Sequence, residues 1–308
     1  MRDSTITNYN INPENTIIMK KIFLAIIIAF ICSINYSVAN TTLNYNDDIS
    51  LIKGSGNLIT KSISIENNYD AIKASRGVRV TMEMEEGDKA TILADDNVMP
   101  YVQIYKEGSS LYITIDKSIN ALNNVTVEVT LPKNTTLNEL DAASSATINI
   151  KPTIAHRSLS LDAASSSTIN ISKAEVEFCD VDASSAAKIT GAIKSNDCFI
   201  DAASAAKITL SLLTTNCSSK ASSASNITLD GETSSFIGDA ASAAKIEAKA
   251  LTAHTKATAE ASSGARVAIT VVKALTAKAS SAGVVAYSSE GAIELDMKQS
   301  SGGRVRQM

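Results

Sequence analysis

One nine-residue phrase returns along the second half of the chain: LDAASSATI from Leu140, LDAASSSTI from Leu161, VDASSAAKI from Val181, IDAASAAKI from Ile200 and GDAASAAKI from Gly238. Looser copies are SKASSASNI at Ser219, AEASSGARV at Ala259, AKASSAGVV at Ala277 and MKQSSGGRV at Met297. The serine at the fifth place is Ser144, Ser165, Ser185, Ser204, Ser223, Ser242, Ser263, Ser281 and Ser301, with gaps of 21, 20, 19, 19, 19, 21, 18 and 20 residues. A fixed period of this size means one supersecondary unit stacked on itself, because a single unit cannot bury its own apolar face.

The residues around each phrase identify the unit. Leu159 and Leu161 precede one copy and Ile169 and Ile171 follow it, alternating with polar residues in twos. Period-two alternation rich in Ile and Thr is strand chemistry, with one face buried. No amphipathic helix fits between copies, which excludes helical and leucine-rich solenoids. Short strands joined by small-residue corners describe an all-β solenoid, a parallel β-helix with about 20 residues per coil. Nine coils at the usual strand spacing would make a rod about 43 Å long. The nine serines form a structural corner column in this reading, where small side chains turn together in little space and hydroxyls bond backbone groups that lose their ladder partners.

Cys179, Cys198 and Cys217 recur at the same interval, two residues before the first place of their repeats, in the column of Leu159 and Phe236. That parity points inward, so they read as a buried column of small hydrophobes. A disulfide or metal site is the alternative, but in-register thiols point in parallel, and His156 and His254 lie in other repeats.

Residues 58–136 alternate in the same manner but without the phrase, at Val78–Met84, Leu111–Ile115 and Val125–Val129. This irregular, strand-rich part suits a cap over an open sheet edge. IKASRGVRV at Ile72 resembles a degenerate further copy, with Arg76 in the serine place. Residues 137–308 form the regular coils, and 40–57 read as a loose leader. Before that, Met19-Lys20-Lys21, an apolar run from Ile22 to Ile34 and Ser37-Val38-Ala39 have the layout of an export signal cleaved after Ala39. Residues 1–18 then read as an over-extended start and 19–39 as the signal peptide. The expected location is the periplasm, the cell surface or the medium, with no stable membrane span after cleavage.

Removing Arg2, Lys20, Lys21, Asp3 and Glu14 from the 28 basic and 32 acidic residues leaves 25 against 30. That balance gives no general pull toward nucleic acid. With no Trp and 4% aromatics, the chain is poorly stocked for stacking on bases or sugar rings.

Taken with the corner repeats, several stretches resemble the bacterial "putative auto-transporter adhesin, head GIN domain" family. They are Tyr69-Asp70-Ala71-Ile72, Arg76-Gly77-Val78-Arg79-Val80, Glu86-Gly87-Asp88, Ala94-Asp95-Asp96-Asn97 and Gly108-Ser109-Ser110-Leu111. The resemblance runs over about residues 58–308. It implies a right-handed β-helix similar to pectin-lyase-like folds and a role in cell adhesion.

Two charged columns remain. Asp141, Asp162, Asp182, Asp201, Asp239 and Glu260 hold the second place of the phrase, interrupted by Lys220, Lys278 and Lys298. Such regular recurrence marks a solvated edge, whereas a catalytic site would be a local departure from the repeat. Lys188, Lys207, Lys245, Arg266 and Arg304 hold the eighth place. They serve either to keep a flat β-surface soluble or as a ladder for an acidic polymer. No phosphate-cradling loop, nucleophile elbow or His-based metal motif is present, so neither a cofactor nor a metal is expected. The sequence therefore reads as an exported, non-enzymatic β-helix of the bacterial envelope or surface, mediating adhesion to a cell-surface polysaccharide or protein. A periplasmic structural or assembly protein is one alternative, and a polysaccharide lyase or hydrolase on the same scaffold is another.

Overall fold

The computed structural model describes residues 51–308, which are strands joined by tight corners, with a single 3-10 turn at Met99–Tyr101. The signal peptide and extended start expected from sequence lie outside the described residues. The regular part is a parallel β-solenoid in which each strand lies in register on its counterpart one coil later. Val181 pairs with Ile200, Asp182 with Asp201 and Ala183 with Ala202. In the 15-residue strands Lys188–Ala202 and Lys207–Ala221 the register holds almost throughout, so a whole coil is copied onto the next.

Alternation decides what the interior contains. In the coil from Cys198, the side chains of Cys198, Ile200 and Ala202 point inward before the corner, Ala206, Ile208 and Leu210 after it, and Leu212 and Thr214 on the remaining side. Stacking makes each of these a column. Ile148, Ile169, Ile189, Ile208, Ile227, Ile246, Val267 and Val285 form one, each fully buried. Each such side chain contributes about 1.5–3 kcal/mol. β-Branched residues also suit the pleated backbone that carries them.

The corner departs from the sequence reading in its chemistry. Ser144 and Ser145 both have positive φ, 50° and 64°, and Ala146 N donates to Ala143 O at 3.1 Å. This is a type I′ turn, built largely without glycine. The left-handed pair recurs at Ser165-Ser166, Ser185-Ala186, Ser204-Ala205, Ser223-Ala224, Ser242-Ala243, Ser263-Gly264, Ser281-Ala282 and Ser301-Gly302. Each left-handed non-glycine residue costs about 1–2 kcal/mol. What offsets this is a turn-to-turn ladder: Ser145 N donates to Ser165 O, Ser166 N to Ser185 O and Ala186 N to Ser204 O, each at 2.9 Å. The corner backbone therefore keeps its partners, and the serine hydroxyls, expected to replace them, point to solvent instead. At the seventh place a hydroxyl does bond the backbone: Ser167 and Ser225 are buried and donate to Ala142 O and Ala202 O at 2.7 Å.

The part before Leu137 stacks out of sequence order. Strand Ala71–Ala74 pairs in parallel with Glu139–Ala142 on one side and Ser110–Ile115 on the other. Arg79–Met82 lies likewise between Thr147–Ala155 and Val127–Leu131. The phrase at Ile72 is therefore a true coil, with Arg76 and Gly77 in the left-handed pair. Beyond it the outer edges are covered by antiparallel strands, Val102–Glu107 on Ser110–Ile115 and Lys89–Asp95 on Val127–Leu131. Such pairing blunts an edge that could otherwise recruit strands from other molecules.

Of the leader expected at 40–57, residues 40–50 lie outside the described residues, and residues 51–57 are held against the solenoid, not loose. Leu51–Lys53 pairs in parallel with Ala121–Asn123. Buried Asp95 accepts from Gly56 N and Thr126 N at 2.7 Å each, and Asp96 accepts from Ser55 and Asn57 side chains. The Asp95-Asp96-Asn97 turn thus clamps the segment, a contact distant in sequence.

The core also shows a compensation between columns. The column of Leu140, Leu161, Val181 and Ile200 shrinks to Ser219 and Gly238, while the adjacent Cys179, Cys198 and Cys217 column swells to Phe236. A Cβ on Gly238 would lie 2.6 Å from the Phe236 ring. Gly238→Ala should therefore cost about 1–3 kcal/mol by overpacking, and the same change in a Phe236→Leu background should cost clearly less. Urea unfolding of the four members of this cycle measures the coupling, and additive losses would refute the compensation.

Candidate interaction surface

Outward side chains form columns as regular as the inward ones. On the strand before the corner, register places Asp141, Asp162, Asp182 and Asp201 one above another, followed by Lys220, Asp239, Glu260, Lys278 and Lys298. Lys73 extends the column at the other end and pairs with Glu139. Four successive carboxylates at the coil spacing, about 4.8 Å, must repel one another. Burial, the larger cause, and the neighbouring carboxylates Asp180, Asp201 and Asp162 push Asp182 up from 3.8 to about 6. Asp141, Asp162 and Asp201 are raised as well, each first by burial.

The acidic strip has an aromatic border that the sequence reading missed. Phe178 is 43% exposed and Phe199 54%, on the outward parity of the same strands. A shallow depression of about 330 Å³ joins Phe199 to Asp180, Asp182, Asp201, Ser218 and Lys220. Parity marks such residues: a Phe at a place where neighbouring coils carry Asp180 and Ser218 is aimed at water.

Past the corner lies the basic column. Register runs Thr168, Lys188, Lys207, Asn226, Lys245, Arg266, Val284, Arg304, so Asn226 and Val284 interrupt the expected series. Lys188, Lys207, Lys245 and Arg304 are exposed and make no ion pair among the described residues, while Arg266 is held by Glu247 at 3.1 Å. Beside it runs a half-exposed polar column. There Asn170 donates to Asn149 at 2.8 Å, and Thr190 donates to Asn170 at 2.6 Å.

The serine column, Ser144 to Ser301, is the exposed ridge between the acidic and basic strips. Cys179, Cys198 and Cys217 stack in register inside, as buried free thiols. The Cys179 thiol is raised far above its ordinary value by hydrogen bonding with the Cys198 thiol and by burial, and Cys217 is raised by burial. Both shifts run against the thiolate form. Among the described residues no group of three or more His, Cys, Asp or Glu side chains is placed to hold a metal ion.

The pK shift of Asp182 fixes the sign of a pH effect. A carboxyl raised in the folded state stabilises the fold below its unfolded value, and that contribution is lost as pH rises through the folded value. Asp182→Asn should thus raise the melting temperature relative to the parent at pH 7, with the advantage fading between about pH 6 and pH 4. Equal melting temperatures across that range would show that the Asp182 carboxyl is not raised in the folded protein.

Comparison with known proteins comes down on one family. The model for "Putative auto-transporter adhesin, head GIN domain" matches residues 68–192 and again 181–291. Among curated proteins, nothing matches. Several solved structures share the fold. A "putative adhesin" from Parabacteroides merdae is 20% identical with a TM-score of 0.59, covering 84% of this chain and 99% of that one. A "putative lipid binding protein" from Parabacteroides distasonis is 17% identical at 0.57, covering 84% and 99%. A "putative adhesin" from the same species is 16% identical at 0.56, covering 84% and 100%. At these identities the likeness concerns the fold.

Proposed function

Given that this chain belongs to the putative auto-transporter adhesin, head GIN domain family, we propose that its solenoid is an exported, non-enzymatic scaffold whose basic strip adheres to acidic polymers of a cell surface. The observation that carries this reading is the set of exposed, unpaired Lys188, Lys207 and Lys245 on one straight column. A ligand with regularly repeated anions meets several such charges at once, and each contact made raises the effective concentration for the next. Exposed charges of this kind attract in a salt-dependent manner. The acidic strip supports the non-enzymatic part: its carboxylates recur at one repeat position over successive coils instead of clustering as a local departure from the repeat.

A lyase or hydrolase would instead use Asp180, Asp182, Asp201 and Lys220, which share the depression beside Phe199. Binding to an array of bacterial and host polysaccharides at two salt concentrations, with product release followed in the same wells, separates the readings. The expected result is salt-sensitive binding to acidic glycans without turnover. Replacing Lys188, Lys207 and Lys245 together by Ser should lower affinity about tenfold or more and flatten its salt dependence. Unchanged affinity rules out the column, and turnover rules out a purely adhesive role.

A further inference from the structure

The acidic and basic strips flank the same corner ridge, and from the coil of Val181 to that of Ala259 their charges are matched; before it, Asp141 and Asp162 share their corners with the neutral Thr147 and Thr168. Asp182 shares its corner with Lys188, Asp201 with Lys207, Asp239 with Lys245 and Glu260 with Arg266. Where the acidic side carries a cation instead, at Lys220 and Lys278, the other side of that corner is the neutral Asn226 or Val284. Such matching invites an explanation within the chain, but the chain does not use it. No ion pair joins any of these partners across the corner; the pairs present are Arg266 with Glu247 and Lys278 with Glu260, both along a face. The charges that perturb Asp182 are all carboxylates, and the only cation acting on Asp201 is Lys220.

The ridge between the strips consists of exposed Ser, Ala and Gly from Ser144-Ser145 to Ser301-Gly302. No side chain on it is long enough to hold a second ridge at a distance. A twofold axis parallel to the stacking direction maps every coil to its own height and exchanges the two sides of the corner. The acidic strip of one copy then faces the basic strip of the other, twice over. A twofold axis perpendicular to the stack would set acid against acid. We propose that this chain pairs with a second copy of itself as a parallel, side-by-side dimer, ridge against ridge, with Asp182, Asp201 and Asp239 facing Lys188, Lys207 and Lys245 of the partner.

Such an interface is isologous and closes at two copies. Its charges share one spacing because the same coil rise sets both strips, a match that no unrelated partner has by construction. The first coil, with Lys73 and Arg79 flanking its corner, does not oppose the pairing, since Glu139 and Glu128 already hold these cations. At the last coil Lys298 and Arg304 are both basic, so the matched stretch ends before it. Asp182 and Asp201, the end of the carboxylate stack, also gain counter-charges from the second copy.

Charge reversal provides the test. Lys188→Glu/Lys207→Glu/Lys245→Glu makes both strips acidic, and Asp182→Lys/Asp201→Lys/Asp239→Lys makes both basic. By sedimentation velocity at low salt, the parent protein should be a dimer that dissociates as salt rises, and each variant alone should associate about tenfold or more weakly. Mixed in equal amounts, the two variants should form a heterodimer, which also shows that both are folded. Ser223→Cys on the ridge should give a disulfide-linked dimer on mild oxidation, and Thr215→Cys, exposed away from the ridge, should not. A parent protein that stays monomeric, a mixture without heterodimer, or equal cross-linking of the two cysteine variants overturns the proposal. The dimer and the adhesive role draw on the same cations and so compete; the aspartate variant keeps those cations, and loss of its dimer with retained or tighter glycan binding separates this interface from the adhesive role.

Discussion

Everything in this molecule depends on the in-register parallel ladder that lays each coil on a copy of itself. Parallel pairing satisfies the backbone of a coil only through its neighbours, so the coil has no stability alone. Once the register is set, each place in the repeat becomes a straight column. The Ile148-to-Val285 column is the favourable consequence, since identical branched side chains nest at constant spacing. The Asp141-to-Asp201 column is the unfavourable one, with like charges in that same spacing and carboxyls raised by burial and mutual repulsion. One geometric rule produces both.

The corner shows how a locally poor conformation persists in such a stack. Two successive left-handed residues would be a poor choice in an isolated loop without glycine. Here each turn hands an N–H to the serine carbonyl of the next turn, from Ser145 to Ser165 and on to Ala282 and Ser301. The bond is available only because the neighbouring turn has the same shape. Repetition therefore selects the small residues, and the serine hydroxyls are left free on the outside.

The outer surface of this scaffold is organised in strips. Depressions on this surface are shallow, such as the 330 Å³ hollow beside Phe199. What the fold supplies is length: an acidic strip with two exposed phenylalanines, a ridge of small residues, and a basic strip with a polar column beside it. Contacts made along such strips would be many, individually weak and in register.

The amino-acid sequence by itself determined the repeat length, the strand character, the inward parity of Cys179, Cys198 and Cys217, and which residues share a column, because these are properties of a period. It also carried the family likeness, in the stretch from Tyr69 to Leu111 and in the corners. Only the tertiary structure decided the rest. The clamp of Asp95 on Gly56, the out-of-order stacking of Ala71–Ala74 between Ser110–Ile115 and Glu139–Ala142, and the fit of Phe236 over Gly238 all join residues that no period relates. The corner's hydrogen bonds were misread from sequence for a related reason. A serine suggests what its hydroxyl can bond, but whether the backbone needs that bond is settled by the turn stacked beside it.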